Sequence, residues 1–112
     1  MSPCDMENEW PVNLARHFEH HFGAVQKLDV PREAVARVRA PTLTIHGTWD
    51  RNAPYAAGRE WAMTLPDARL LTVEGAAHQV TLDAPEIVLG GIEEFLAGRW
   101  PRSAERVTRL ER

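Results

Sequence analysis

Residues 41–54 read PTLTIHGTWDRNAP, a short β-branched run followed by a turn that carries one acid. Leu43 and Ile45 alternate with threonines, as side chains do on a pleated surface, and Gly47 provides the break that ends the strand. Asp50 comes directly after this break. Ligands and catalytic groups of α/β sheets gather beyond the carboxyl ends of the strands, so Asp50 is a candidate functional acid. The simpler alternative is that Asp50 only caps or shapes the turn.

A second segment repeats this design. Residues 68–78 read ARLLTVEGAAH, a short apolar strand that ends in a turn of small residues with His78 at its tip. Residues 55–65 between the two strands have a helical pattern, and a strand–helix–strand connection normally makes the strands parallel. Both turns then open on the same edge of the sheet. An Asp and a His that meet there can share a hydrogen bond, which fixes the imidazole tautomer and stabilises its protonated form.

These two segments resemble the C-terminal part of an α/β-hydrolase, over about residues 38–98. In that superfamily the triad acid follows the penultimate core strand in a Gly-x-x-Asp-x-x-x-Pro setting, which Gly47, Asp50 and Pro54 match. The triad His follows the last strand, and a final helix closes the fold. The resemblance therefore implies that Asp50 is the triad acid and His78 the general base. Their neighbours Trp49 and Gln79 are candidate substrate-binding residues, although Trp49 is as well explained by packing.

The nucleophile of such a triad is missing from the sequence. No Gly-x-Ser-x-Gly motif occurs, Ser2 and Ser103 lie near the chain ends, and Cys4 has no elbow around it. Because the family order is nucleophile, acid, base, the nucleophile of a full-length relative would lie N-terminal to Met1. We therefore interpret the chain as a fragment with two thirds of a triad and expect it to hydrolyse esters negligibly on its own.

The predicted fold class is α/β, a partial α/β-hydrolase fold in which a parallel βαβα unit follows one or two helices. We predict a helical, cap-like segment over residues 1–40, the hydrolase part over 41–98 and a charged tail over 99–112. Two parallel strands alone leave backbone groups unpaired at their edges and bury a marginal core. We therefore expect the chain to form a homodimer, to pair with a separately made N-terminal half, or to be poorly stable on its own.

Apolar residues at helical spacing predict a helix over residues 10–28, which also carries His17, His20 and His21. Two histidines four residues apart on a helix can bind zinc, and Cys4, Asp5 or Glu7 are conceivable further ligands. We favour a solvated polar face, because no second ligand cluster has matching spacing. The hydrolase motif itself implies no metal and no organic cofactor.

The remaining predictions concern packing. On the helix of residues 55–65, Ala57, Trp61 and Leu65 share one face, and we place Arg59 and Glu60 on the solvated face. Asp83 is interpreted as a helix cap in preference to a second acid near His78. The adjacent Gly90 and Gly91 indicate a close packing contact or a bend in the last helix, whose predicted sheet-facing stripe is Val88, Ile92, Phe95 and Leu96. The tail is expected to dock only through Trp100, Val107 and Leu110.

Composition narrows the functional classes. The 112 residues are 44% hydrophobic and 26% charged, which is typical of a globular domain, and the formal charge of −3 argues against binding to nucleic acid or to an anionic membrane. No apolar run approaches a membrane span, no signal-peptide pattern is present, and a single cysteine allows no internal disulfide. A cytoplasmic location is the default expectation.

Two functional interpretations remain open at this point. The first is a portion of a hydrolase that cleaves a small-molecule ester, thioester or amide once an N-terminal portion supplies the serine. The second is a non-catalytic remnant or interaction module that keeps the hydrolase motifs without turning over substrate. Only the first requires His78 for its function.

Overall fold

The structure is a computed structural model that describes residues 30–112. In chain order it contains helix α1 (Arg32–Val35), strand β1 (Thr42–Gly47), helix α2 (Tyr55–Thr64), strand β2 (Ala68–Val73), helix α3 (Val80–Asp83) and helix α4 (Pro85–Leu96). The predicted helix over residues 10–28, its histidine cluster and the conceivable further ligands Cys4, Asp5 and Glu7 lie outside the described residues. None of the helices formed by residues 30–112 is long and apolar enough to cross a bilayer.

The two strands are parallel, which confirms the predicted α/β class. Thr42 pairs with Ala68 at one end of the ladder and Gly47 pairs with Val73 at the other. Because the ladder is in register over its whole length, the turn after β1 and the turn after β2 leave the sheet side by side. Both turns therefore lie at the carboxyl edge, where the sequence places Asp50 and His78.

Strand β2 is the centre of the packing. Leu70 is fully buried against Ala62 of α2, while Val73 packs against Val88 of α4. Side chains of consecutive strand residues point to opposite faces, so α2 and α4 cover the two faces of β2. Thr42–Gly47 of β1 are only partly buried except at Gly47. In the described part of the chain, β1 pairs with β2 alone.

The C-terminal tail covers the other edge of β2. Glu105 forms an antiparallel bridge with Leu70, in which each residue donates its N–H to the other's carbonyl at 2.8 and 2.9 Å. Val107 is buried in the cluster of Leu70 and Ala62, and the Trp100 ring packs 5.3 Å from the ring of Phe95. Leu110, in contrast, is 48% exposed. The tail thus docks through its backbone as well as through apolar side chains.

The prediction that Arg59 lies on a solvated face is wrong. Arg59 is only 4% exposed, and its guanidinium donates to Glu105 Oε1 at 2.7 Å and to the carbonyls of Arg109, Leu110 and Glu111 at 3.1, 3.0 and 3.4 Å. Burial disfavours the charged form, but hydrogen bonds from Arg59 to Tyr55 and Glu105 outweigh it and raise the pKa of Arg59. Its partners lie in the tail, far along the chain, where helical periodicity carries no information.

Two predicted helix faces also need correction. Trp61 is 51% exposed, whereas the buried residues of α2 are Gly58, Arg59 and Ala62. Leu96 is 78% exposed at the end of α4, whereas Val88 is buried as predicted. Gly91 makes the expected close contact, since a side-chain carbon there would lie 2.6 Å from Leu71.

Replacing Arg59 with Ala should lower the free energy of unfolding by about 2 kcal/mol, because several hydrogen bonds to a buried charged group are lost together. Urea denaturation followed by circular dichroism measures the change. Arg32→Ala is the matched control, since Arg32 forms an ion pair with Glu60 in which both side chains are well exposed. The control should cost less than about 1 kcal/mol. Equal effects of the two substitutions would contradict the role given to Arg59.

Candidate active site

The carboxyl edge of the sheet is built around Gly47. A side-chain carbon at this position would lie 2.6 Å from the carbonyl oxygen of Ala77, so the absence of a side chain lets the two turns touch backbone to backbone. Three hydrogen bonds then join the turns: Thr48 N–H to the Val73 carbonyl at 3.1 Å, Trp49 N–H to the Ala76 carbonyl at 2.9 Å, and Gly75 N–H to Thr48 Oγ1 at 2.8 Å. The turn that carries Asp50 and the turn that carries His78 are therefore one unit.

Asp50 is oriented by its own turn. Its Oδ1 accepts hydrogen bonds from the backbone N–H groups of Asn52 at 2.8 Å and Ala53 at 2.9 Å. Its Oδ2 faces the second turn and accepts a hydrogen bond from His78 Nδ1 at 2.9 Å. The Asp50 side chain is 5% exposed, so the carboxylate lies inside the contact between the turns. Asp50 thus shapes the turn, as the simpler alternative held, and also contacts His78.

Asp50 stays ionised at neutral pH with a wide margin. The hydrogen bond from the Ala53 N–H is the largest cause, and hydrogen bonds from His78 and Asn52 add to it. Desolvation opposes these contacts without cancelling them, so the pKa of Asp50 is lowered from 3.8 to about 2. The carboxylate can therefore accept a hydrogen bond from His78.

The hydrogen bond to Asp50 determines the tautomer of a neutral His78. An ionised carboxylate only accepts, so His78 Nδ1 must carry the hydrogen, and Nε2 of the neutral ring then has a free electron pair. The His78 side chain is 53% exposed. A ring held at Nδ1 by an acid, with an unprotonated Nε2, is the arrangement of a general base.

A second imidazole lies beside Asp50, and the sequence-based reasoning missed it. His46 on β1 places Nε2 2.8 Å from the Ala53 carbonyl oxygen and 3.4 Å from Asp50 Oδ2, with its side chain 15% exposed. The signal was present, because His46 precedes Asp50 by four residues and lies near the carboxyl end of the strand. The surroundings of His46, however, are set by the helix that covers the strand, and the sequence of the strand does not reveal them.

The prediction that Asp83 caps a helix is wrong. Asp83 is the last residue of α3, and the N-cap position of α4 is Ala84, which makes no side-chain capping hydrogen bond. Instead, Asp83 Oδ2 accepts a hydrogen bond from the Ala77 N–H at 2.8 Å. Asp83 therefore braces the turn that carries His78, from the C-terminal side.

The two candidate substrate-binding residues flank the pair. Trp49 is 72% exposed and its backbone is fixed by the bond to Ala76, while Gln79 is exposed and precedes α3. Both are accessible to a bound molecule, and their role stays a prediction. Among residues 30–112, no three His, Cys, Asp or Glu side chains are grouped as ligands of a metal ion.

Comparison with known proteins agrees with the α/β fold. The model of a family described as TAP-like protein matches residues 9–105. The chain belongs to the α/β-hydrolase superfamily. The crystal structure of a Mycobacterium tuberculosis H37Rv protein, provisionally named non-heme bromoperoxidase BpoC, superposes with a TM-score of 0.60 at 31% identity, covering 62% of this chain and 26% of that one.

Two similar proteins are hydrolases by name. The pimeloyl-[acyl-carrier protein] methyl ester esterase of Aromatoleum aromaticum is 39% identical over 67 residues, which are 60% of this chain and 27% of the esterase. A Rattus norvegicus protein provisionally named protein-lysine deacylase ABHD14B is 36% identical over 61 residues, which are 54% of this chain and 28% of that protein. The matched part of this α/β-hydrolase chain thus spans about a quarter of each relative's length.

Gly47→Ala should lower the free energy of unfolding by about 1–3 kcal/mol, because the added carbon meets backbone atoms that cannot turn aside. Gly90→Ala is the control, since within residues 30–112 no atom beyond its chain neighbours and its own helix backbone lies within 4 Å of a side-chain carbon at that position. The control should raise stability by up to about 1 kcal/mol through helix propensity. Urea denaturation of both variants measures the difference, and a stabilised Gly47→Ala variant would contradict the close approach of the turns.

The stability of the chain should depend on the charge of Asp50 at acid pH. Because the pKa of Asp50 is lower in the folded chain than its ordinary 3.8, the unfolded chain takes up the proton first, and stability is lost as the pH falls from about 3.8 to about 2. Asp50→Asn removes this contribution and should flatten the slope of unfolding free energy against pH in that window. Urea denaturation at stepped pH measures both slopes. Identical slopes would mean that the carboxylate is not held as described.

Proposed function

We propose that residues 41–98 supply the acid and the general base of an α/β-hydrolase that cleaves an ester, thioester or amide. The observation that carries this proposal is the 2.9 Å hydrogen bond from His78 Nδ1 to Asp50 Oδ2 at the carboxyl edge of the parallel strands. It joins the two residues that the family resemblance assigns as base and acid. The ionised state of Asp50 and the exposure of His78 give each residue the properties that its role requires.

In the proposed reaction, His78 Nε2 takes the proton of a serine hydroxyl as the serine oxygen attacks the acyl carbon, and then gives that proton to the departing leaving group. Water then attacks the acyl-serine with His78 again as the base, which releases the acid and restores the serine. Asp50 accepts the Nδ1–H bond throughout and stabilises the imidazolium that forms. The 112 residues contain no Gly-x-Ser-x-Gly elbow, so we propose that a further segment supplies the serine and that the 112 residues alone are inactive.

The proposed substrate class follows from the relatives and from the surroundings of the pair. One relative is named a methyl ester esterase, and its name describes cleavage of an ester. Another is provisionally named a protein-lysine deacylase, and its name describes removal of an acyl group. Trp49 offers a large exposed aromatic surface next to Asp50, and Gln79 offers an amide next to His78. We propose that these two side chains contact the ester or amide substrate beside the pair.

The proposed partner surface is the outer edge of β1. In the described residues the edge of β2 away from β1 is covered at Leu70 by Glu105, whereas β1 pairs only with β2 and stays partly exposed from Thr42 to His46. An uncovered strand edge has free N–H and C=O groups that pair readily with another strand. We propose that the N-terminal portion of the hydrolase, or a second copy of the chain, pairs at this edge.

A chimera tests the proposed roles directly. Residues 41–112, which include the tail that pairs with Arg59, replace the equivalent segment of the Aromatoleum aromaticum methyl ester esterase, which then provides its own nucleophile. We expect the chimera to hydrolyse an activated ester such as p-nitrophenyl acetate. Asp50→Asn should lower kcat by about four orders of magnitude and His78→Ala by about six. The unmodified 112-residue chain should show negligible turnover in the same assay.

Asp67→Asn is the matched control, because Asp67 immediately precedes β2 at the end of the strand opposite to the site. It should leave kcat within a factor of about two of the chimera's value, as expected for a substitution outside the site. A folded chimera whose activity survives both Asp50→Asn and His78→Ala would contradict the proposal. That result would favour the alternative, a non-catalytic remnant or interaction module that keeps the fold without using the pair.

A further inference from the structure

His46 forms a contact that the proposed reaction does not use. A carbonyl oxygen can only accept a hydrogen bond, so the 2.8 Å contact between His46 Nε2 and the Ala53 carbonyl requires the hydrogen on Nε2. The same Nε2 lies 3.4 Å from Asp50 Oδ2, which is the carboxylate oxygen that also accepts the hydrogen bond from His78. His46 therefore donates into the turn that holds the acid.

Ala53 is held through both of its backbone polar groups. Its carbonyl accepts the bond from His46, and its N–H donates to Asp50 Oδ1 at 2.9 Å. The second oxygen of Asp50 then accepts the bond from His78. A continuous set of hydrogen bonds thus runs from strand β1 through Ala53 and Asp50 to the imidazole of His78.

Helix α2 fixes the ring that begins this set. Gly58 packs directly on the ring, since a side-chain carbon there would lie 2.8 Å from His46 Cγ. The Tyr55 ring contacts the same imidazole edge-on, with centroids 5.9 Å apart and planes at 68°. With Gly58 on one side and the Ala53 carbonyl on another, His46 has little freedom to turn.

We propose that His46 is a positioning residue, whose Nε2–H holds Ala53 so that Asp50 keeps its second carboxylate oxygen directed at His78. Its importance for catalysis rests on the proposed function, but its effect on the Asp50–His78 contact does not. The competing explanation is that His46 merely fills the space under α2. If His46 only fills space, a side chain of similar volume should replace it. If His46 positions Ala53, its replacement must carry a hydrogen-bond donor where Nε2 now lies.

The experiment reads the tautomer of His78 in the full 112-residue chain labelled with ¹⁵N-histidine. Long-range ¹H–¹⁵N spectra, recorded where the imidazole is neutral, distinguish a ring that carries its hydrogen on Nδ1 from one that carries it on Nε2. The unmodified chain should show mainly Nδ1–H for His78. Asp50→Asn should reverse that preference: its amide oxygen can keep the bonds from the Asn52 and Ala53 N–H groups, and its amide N–H then donates to His78 Nδ1. This variant marks the opposite limit of the measurement.

Three substitutions of His46 separate the two explanations. The amide nitrogen of Gln occupies roughly the place of Nε2, so His46→Gln should keep the Nδ1–H preference of His78. His46→Asn places its donor nearer the backbone, short of the Ala53 carbonyl, and His46→Leu fills space without any donor. Both should lose the preference. If Asn and Leu keep it in a folded chain, His46 is not a positioning residue.

Gly58→Ala tests the same inference without changing His46. The added carbon clashes with the ring and forces it out of its present position, so the contact of Nε2 with Ala53 and the Nδ1–H preference of His78 should both weaken, although Ala is the better helix former. Gly90→Ala is the control and should leave the tautomer unchanged. Nuclear Overhauser contacts between paired residues of β1 and β2 verify the fold of each variant. If His46→Leu fails to fold, the Gln and Asn variants together with Gly58→Ala decide the outcome.

The outcomes also separate this inference from the proposed function. An unmodified chain without an Nδ1–H preference would contradict the Asp50–His78 pair itself and both proposals with it. If the preference is lost in His46→Asn and kept in His46→Gln while a folded chimera has no activity, the positioning role is supported and the hydrolase is contradicted. In an active chimera, kcat should fall in His46→Asn and be restored in His46→Gln.

Discussion

The backbone contact at Gly47 is the constraint on which the carboxyl edge depends. Parallel pairing of β1 and β2 brings the ends of the strands together, but pairing alone leaves two independent turns. Because Gly47 has no side chain, the turn after β2 lies against the end of β1, and three hydrogen bonds then join the turns. Asp50 and His78 meet because their backbones are already fixed, so their contact need not order two flexible loops.

Side chains outside the Asp50–His78 pair hold its two turns in place, and they come from segments before and after the pair in the chain. Asp83 braces the His78 turn at Ala77, while His46 reaches the Asp50 turn at Ala53. Through Gly58, the position of His46 also depends on helix α2. Arg59, the next residue of that helix, holds the C-terminal tail. The helix thus has one contact with the tail that stabilises the fold and another with the imidazole that, in our proposal, positions the acid.

The sequence was sufficient for β1, α2, β2 and α4 and for the meeting of Asp50 and His78, because alternation, helical spacing and the Gly breaks are local signals and parallel pairing follows from connectivity. The short helix α3 was not predicted. It was not sufficient for Arg59, whose partners lie near the C-terminus, or for His46, whose environment is set by the crossover helix. Asp83 was misassigned because an acid just before a helix fits a helix cap as well as it fits a brace for the preceding turn. These failures share one cause: each side chain is satisfied by a group that is distant in sequence or belongs to another element.

A crystal structure of the chimera with a phosphonate bound covalently to its serine would test the central claim most directly. Such an adduct mimics the tetrahedral stage of acyl cleavage, so the base should be in contact with the reacting oxygen atoms. We expect His78 Nε2 to lie about 2.6–3.2 Å from the serine Oγ or the adduct's leaving-group oxygen, while Nδ1 remains bonded to Asp50. The assignment of these residues as base and acid would be contradicted if the His78 ring turned away from the serine. It would also be contradicted if Asp50 made no hydrogen bond to His78 Nδ1.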